Sequence, residues 1–302
     1  MSNFALIGAA GYVAPRHMQA IRDTGNRLVA AADPHDAVGV LDRYFLDVRY
    51  FPEIERFDRH LEKLRRGPEA ERVRYVSICS PNYLHDAHVR LALRVGATAI
   101  CEKPLVINPW NLDQIAQIEA ETGGAVRTIL QLRHHPALVA LRERLAAPAE
   151  ARHRVKLAYV TGRGGWYHAS WKGSEERSGG LATNIGVHFF DLLLWLFGEA
   201  KAVEVHASDR STMSGLLRLE RADVEWLLSV DFAKLPFEAK AGAQTTHRMI
   251  EIDGREVEFS DGFADLHARS YEAILAGGGF TIEDVRPSIQ LVHDIREAAR
   301  QG

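Results

Sequence analysis

Apolar positions along the chain follow two different regimes. In the first, short apolar runs alternate with amphipathic stretches. The runs Asn3 to Ile7, Leu28 to Ala32, a short one near Tyr50, Tyr75 to Cys79, Ala97 to Cys101 and Val126 to Leu132 read as strands buried on both faces. Between them the spacing predicts helices over about Pro15 to Thr24, Asp36 to Phe45, Glu53 to Arg66, Leu84 to Val95 and Asn108 to Thr122. Pro15 suits a first helical turn, and Asn108 is placed as an N-cap. Repeated strand–helix units of this length predict a parallel sheet with right-handed crossovers. Gly11, Ser80 and Lys103 then fall at strand carboxyl ends along one crevice, where open α/β sheets bind ligands.

From Arg154 the second regime begins. Val155 to Thr161 reads as a strand, 162–180 as a loop, and Ile185 to Phe197 as a strongly apolar helix. Strand-like runs follow at Ala202 to Ala207, Ser214 to Leu219, Val224 to Phe232, Met249 to Ile252 and Val257 to Phe259, with Gly254 as a hairpin turn between the last two. Strands without intervening helices predict an antiparallel sheet. Two helical stretches close the chain, about Phe263 to Ala276 and Ile282 to Arg300. At 302 residues the expectation is two α/β domains, residues 1–130 and 131–302, the second with a mostly antiparallel, open-faced sheet.

Composition narrows the function classes. A formal net charge of −3 gives no general attraction to nucleic acid or to an anionic membrane, and the mixed Glu62, Lys63, Arg65, Arg66 cluster reads as a solvated helix face. The two cysteines, Cys79 and Cys101, sit inside apolar runs and indicate neither a disulfide framework nor a zinc site. No signal peptide is read at the N-terminus and no apolar run is read as reaching membrane-spanning length, so a cytoplasmic protein is expected.

Local chemistry accumulates at the strand ends. Gly8-Ala9-Ala10-Gly11-Tyr12-Val13-Ala14 places a glycine turn between a strand and a helix, the device that cradles a dinucleotide phosphate, although G-x-x-G-x-x-A is weaker than the full pattern. Asp33, ending the second strand, offers a carboxylate to a ribose 2′-hydroxyl and repels a 2′-phosphate, which favours NAD over NADP. In Glu102-Lys103-Pro104, the proline stops the strand and fixes the lysine at its end. Ser80-Pro81-Asn82 ends a neighbouring strand, and His85 after it is expected to face the cofactor. His85 and His88, at i and i+3, could hold a metal, but no acidic or cysteine cluster completes the set and no metal site is assigned. His134 and His135 either reach the site or form a solvated pair. In the second half, Asn184, His188 and Asp191 fall at i, i+4 and i+7 on one helix face, and Gly186 suggests close approach of a backbone or ligand.

Taken together, Gly8 to Ala14, Glu102-Lys103-Pro104 and Gly179 to Asp191 resemble the glucose-fructose oxidoreductase / inositol dehydrogenase / MocA (Gfo/Idh/MocA) family of nicotinamide-dependent dehydrogenases. The resemblance covers nearly the whole chain and implies a Rossmann domain followed by an α/β substrate domain. Two positions depart from the family pattern: the glycine turn is reduced, and Asn184 replaces the usual aspartate, so it is assigned to hydrogen-bonding the substrate and not to proton relay. The stretches Thr161 to Lys172, Gln131 to Pro136 and Phe263 to His267 resemble the WlbA-type branch, which oxidises the 3-hydroxyl of UDP-N-acetyl-glucosaminuronic acid.

That resemblance implies NAD held by Gly8, Gly11, Tyr12, Val13, Asp33, Ser80, Asn82, His85, Glu102, Lys103 and Gln131. It implies a nucleotide-sugar substrate held by Arg163, Trp166, Tyr167, Trp171, Lys172, Asn184 and His188. The residue chemistry agrees: a diphosphate and a carboxylate need cations, which Arg163, Lys172 and Arg177 offer, and the aromatics can stack on uracil or cover a sugar face. Lys103 and His188 are the catalytic candidates, and either could be the general base. A homo-oligomer, a tetramer by family, and a place in O-antigen sugar biosynthesis are expected. A dehydrogenase of another sugar or cyclitol, and a non-catalytic NAD-binding sensor, are the alternatives.

Overall fold

The computed structural model describes residues 1–36, 38–147, 151–259 and 265–301. Six strands form the first sheet: β1 Asn3–Ile7, β2 Arg27–Ala32, β3 Arg49–Phe51, β4 Val73–Ile78, β5 Thr98–Cys101 and β6 Val126–Thr128. Their order is β3-β2-β1-β4-β5-β6 and every pairing is parallel, the doubly wound arrangement. Phe4 and Leu6 of β1, and Val76 and Ile78 of β4, are fully buried because helices cover both faces. Helix Ala14–Asp23 brings Met18 and Ile21 to that core, and helix Ile54–Arg66 brings Phe57 and Leu61.

Three local expectations change. The stretch after β2 forms a short 3-10 turn, Gly39–Arg43, in place of an α-helix, since its apolar Val38, Val40, Leu41, Tyr44 and Phe45 pack as one cluster on the core. β6 stops at Thr128, whose N–H donates to Phe280 O, and a 3-10 turn at Gln131–His134 follows. Helix Trp110–Thr122 begins two residues beyond Asn108, whose Oδ1 accepts from Arg296 at 2.9 Å.

The chain divides into two compact units, though not by a single cut near residue 130. Residues 265–285 group with the first unit, and Ile107–Pro109 with the second. The physical reason lies in helix Leu266–Leu275, which buries Leu266, Tyr271 and Ile274; Tyr271 stacks on Phe4 at 5.9 Å, inside the first core. Phe263 and Ala264, read in sequence as part of that stretch, lie outside the described residues.

The second unit holds β7 His153–Thr161, β8 Ala200–Ser208, β9 Thr212–Leu219, β10 Ala222–Ser229, β11 Thr246–Ile252 and β12 Arg255–Glu256. Their order is β12-β11-β7-β10-β9-β8, with β7 and β10 parallel and the other pairs antiparallel. The last strand falls at Arg255–Glu256, earlier than Val257 to Phe259, because Asp253 and Gly254 (φ 51° and 77°) make a two-residue turn. Val155, Leu157, Val224, Trp226 and Leu228 face the core, while Lys156, Leu216, Arg218, Asp223 and Glu225 are exposed, which is the open face.

The central apolar helix differs in kind. Ala182–Gly186 is a π turn and the α-helix proper runs Val187–Phe197. The helical run Glu175–Phe197 is long and apolar enough by composition to cross a membrane, contrary to the sequence reading, but it is mostly buried within the protein. Phe190 packs edge-on against Trp226 at 5.4 Å, and a Cβ at Gly186 would lie 2.6 Å from Leu228 Cδ1. The glycine therefore serves close packing on β10 side chains, not approach of a backbone or ligand.

Candidate active site

The turn after β1 is built around Gly8. Its φ is +90°, and a Cβ there would lie 2.6 Å from the Cys79 carbonyl carbon, so only hydrogen fits beside the end of β4. The Gly8 and Ala9 N–H groups donate to Ala32 O, and Gly11 N–H donates to Gly8 O at 3.0 Å. Exposed Tyr12 and half-buried Val13 then lead into the helix at Ala14. Asp33 is buried at the end of β2. Its Oδ2 accepts from Ala10 N and its Oδ1 from His35 N, both at 2.9 Å, which fixes the carboxylate while each oxygen keeps a further lone pair.

At the ends of β4 and β5 the side chains brace one another. Ser80 Oγ lies 2.8 Å from His88 Nδ1, and burial, then nearby His85, pushes the His88 pKa down to about 4, so this imidazole is neutral. His85 is also buried, with Nδ1 2.7 Å from Pro104 O and Nε2 2.8 Å from Ser80 O. Both ring nitrogens are thus engaged by backbone, which ties the β4 end to the β5 end instead of presenting a polar group to a cofactor. His85 and His88 do not converge as a ligand pair. Asn82 is buried in the turn before that helix, and the Lys103–Pro104 peptide is cis.

Beside Lys103 lies a cluster that sequence reasoning missed. Glu102 Oε1 is 2.9 Å from His17 Nε2 and 3.1 Å from His267 Nε2; His17 Nδ1 is 2.8 Å from Tyr271 Oη, which is 2.6 Å from Ser77 Oγ. All five residues are buried. Burial works against the Glu102 charge, but the two imidazole donors outweigh it and hold the carboxyl well below its usual range. A signal existed: His267 and Tyr271 are spaced i, i+4, and His17 shares a helix face with Met18 and Ile21 in the apolar core. Gln131 Oε1 is buried and accepts no hydrogen bond from the described residues.

In the second unit, residues 162–180 are not an open loop but three short turns, Trp166–Ala169, Trp171–Gly173 and Glu175–Ser178. Tyr167 is 2% exposed and its hydroxyl accepts from Asn184 Nδ2 at 2.9 Å, so its ring is packed inward and is not a stacking surface. Trp166 is exposed, and the Lys172 ammonium sits 4.2 Å from the Trp171 ring centroid. Arg163 is fixed by its backbone N–H donating to Val230 O at 2.9 Å. Gly162 beside it has ordinary backbone; a Cβ there would lie 2.8 Å from Phe232 Cδ2.

His188 is half-buried, 4.2 Å from the Phe189 ring centroid and edge-on to Tyr159 at 5.7 Å. The π turn breaks the i, i+4 spacing that would align Asn184 with His188 on a regular α face. Asp191 is held in a two-pronged pair with Arg133, Nε to Oδ2 at 2.9 Å and Nη2 to Oδ1 at 2.7 Å. His135 is buried and edge-on to Phe259 at 6.3 Å, so the two adjacent histidines are not a solvated pair. Arg177 closes the third turn.

The chemistry of the first unit fits a nicotinamide dinucleotide. It combines a turn only glycine permits at Gly8, a fixed carboxylate at Asp33, and an unsatisfied buried amide oxygen at Gln131. Comparison with known proteins agrees. Residues 2–129 match the GFO_IDH_MocA oxidoreductase family, NAD-binding Rossmann fold, and residues 153–225 match its C-terminal alpha/beta domain. The WlbA (WbpB) dehydrogenase of Thermus thermophilus, solved with NAD and alpha-ketoglutarate, is 50% identical with a TM-score of 0.94, covering 98% of this chain and 95% of that one. Its complex with NAD and UDP-GlcNAcA superposes at TM-score 0.93 and 49% identity, with the same coverage. A protein provisionally assigned as a UDP-kanosamine synthase oxidoreductase subunit, from Amycolatopsis mediterranei, is 29% identical over 214 residues, 65% of this chain. The chain spans 58% of that relative's length.

Proposed function

As the chain belongs to the Gfo/Idh/MocA family of oxidoreductases, with their NAD-binding Rossmann fold, we propose that it oxidises the 3-hydroxyl of UDP-N-acetyl-glucosaminuronic acid to the 3-keto sugar nucleotide. The observation that carries this is 49% identity along 98% of the chain to a dehydrogenase solved with NAD and UDP-GlcNAcA. The cations and exposed aromatic of 163–172 support it, because a diphosphate and a uronate require local positive charge.

When bound, NAD supplies the hydride acceptor. The chain's residues do the rest. The Gly8–Gly11 turn and the start of helix Ala14–Asp23 receive the pyrophosphate, Asp33 the adenosine ribose, and Gln131 an amide donor. His188 takes the 3-hydroxyl proton, since an imidazole titrates near operating pH, and Lys103 orients that hydroxyl. Asn184, its amide engaged with Tyr167, orients the sugar without carrying a proton. Arg163 and Lys172 offset the substrate's negative charge. The enzyme works in the cytoplasm as a homo-oligomer, a tetramer on the family pattern, in O-antigen sugar synthesis.

The test is NADH absorbance after mixing the protein and NAD with UDP-GlcNAcA, UDP-GlcNAc, inositol and glucose. Turnover should be confined to the UDP-sugar acid, and His188→Asn should lower kcat by about a hundredfold or more while leaving NAD affinity near native. Efficient oxidation of inositol or glucose with the UDP-sugar acid inert overturns the substrate; no reduction of NAD by any sugar or cyclitol would instead favour a sensor.

A further inference from the structure

We propose that Tyr50 is a positioning residue for the cofactor: its hydroxyl closes the turn Asp33-Pro34-His35, so that the Asp33 carboxylate is held for a ribose 2′-hydroxyl and kept from swinging aside for a 2′-phosphate. The inference rests on the reading above in which Asp33 receives the adenosine ribose, and it adds the group that makes that carboxylate selective.

Each polar group of this turn has an identifiable partner. Asp33 is buried at the end of β2, while Pro34 and His35 are exposed, so the chain leaves the core here with a carboxylate still inside. The Asp33 N–H donates to Phe51 O at 3.1 Å, and Pro34 has no N–H. The His35 N–H turns back to Asp33 Oδ1 at 2.9 Å, the side-chain turn that aspartate favours, and the Ala10 N–H donates to Oδ2 at 2.9 Å. That leaves the carbonyls of Asp33 and His35. Both face Tyr50 Oη, at 2.7 and 2.9 Å. They converge on one phenolic proton and share it in a three-centre hydrogen bond.

Tyr50 reaches this position because the edge strand β3 pairs it with Ala31 and ends beside Asp33. The consequence is mechanical. Two backbone N–H groups aim the carboxylate. The Ala10 N–H belongs to the glycine turn, whose own hydrogen bonds fix it, but the His35 N–H sits on an exposed residue. By holding the carbonyls on both sides of Pro34, Tyr50 keeps that N–H directed at Oδ1. A 2′-phosphate needs the carboxylate to withdraw, for room and for charge. With the turn pinned, the two N–H donors cannot follow a withdrawing carboxylate and would be left unpaired. The phenol suits this task because it stays a donor: burial first, then the nearby Asp33, Asp36 and Glu53 carboxylates, push the Tyr50 pKa up.

The experiment measures NAD and NADP dissociation constants by calorimetry on the full-length protein, without sugar, for the native chain, Tyr50→Phe, Asp33→Ala and the double variant. Tyr50→Phe keeps the ring and loses one oxygen. It should weaken NAD by roughly threefold to tenfold, the scale of one neutral hydrogen bond, and weaken NADP less, so the preference narrows. In the Asp33→Ala background the same change should shift NAD affinity by less than about twofold, because Tyr50 acts through the carboxylate. A merely structural role would add its cost in both backgrounds. In the native protein the exposed His35 N–H should exchange with solvent at least about tenfold more slowly than an open-chain amide, and it should exchange faster in Tyr50→Phe. An unchanged NAD-to-NADP ratio in Tyr50→Phe overturns the proposal, as does an equal loss of NAD affinity with and without Asp33. If Tyr50→Phe does not fold, exchange of the native His35 N–H at the open-chain rate still overturns it. An Asp33→Ala ratio equal to native is a separate result: it removes the ribose reading of Asp33, and this proposal with it. No sugar is present, so the substrate assignment is not at stake.

Discussion

Replacing Asp191 with alanine should destabilise the second unit far more than a surface substitution would. Its carboxylate is 2% exposed, the partnering Arg133 side chain is 10% exposed, and the two groups meet in a two-pronged fork at 2.7 and 2.9 Å. Removing the carboxylate leaves a guanidinium, which cannot lose its proton, in a site that excludes water. Breaking a buried ion pair by removing one member costs about 3–5 kcal/mol. At roughly 2–4 °C per kcal/mol for a protein of this size, the transition of the second unit should fall by on the order of 6–20 °C. Differential scanning calorimetry would measure it. A double replacement, Arg133→Met with Asp191→Leu, should recover most of that loss, because an apolar pair of similar volume avoids the desolvation penalty. The double variant should still turn over slowly, since Asp191 lies one turn beyond His188 and its fork fixes that helix. A melting temperature within about 2 °C of native for Asp191→Ala would refute the premise that the fork is desolvated.

Two further outcomes follow from the nucleotide-binding and substrate-binding chemistry. Asp33→Ala should weaken NAD binding and narrow the preference for NAD over NADP, as ratios of kcat/KM will show; equal ratios in the native protein would remove Asp33 as the discriminator. Arg163→Ala should raise KM for UDP-GlcNAcA by about tenfold to a hundredfold, the scale of one charge-assisted contact, with KM for NAD unmoved. An unchanged KM for the sugar acid would pass that role to Lys172 or Arg177.

The alternation of apolar runs was enough to read the first sheet, because strands covered by helices on both faces are continuous in sequence. Strand positions in the second sheet were legible to within a few residues for the opposite reason: one face is solvated, and Val224, Trp226 and Leu228 alternate with Asp223, Glu225 and Leu227. What sequence could not resolve depends on three-dimensional neighbours. Tyr167 looked available for stacking because nothing local says that it is tied to Asn184. Gly186 reads in sequence as a point of backbone or ligand approach, yet the Leu228 side chain, far along the chain, is what it makes room for. The His17–Glu102–His267 cluster joins three segments separated by 85 and 165 positions, and no spacing rule connects such distances.

The placement of residues 265–285 in the first unit also bears on how that unit can be assembled as the chain is made. A ribosome releasing residues 1–131 has delivered all six strands of the first sheet but not the helix that carries His267 and Tyr271. At that stage the Phe4 ring has Tyr75 but lacks the second aromatic face, Tyr271, that stacks on it, and His17 and Glu102 lack two of their hydrogen-bonding partners inside an apolar core. The nascent N-terminal portion must wait, incompletely closed, while the whole second sheet is synthesised. The dinucleotide-binding part is therefore not a detachable module: excised at residue 131, it would expose a core seam that only the distal end of the chain can seal.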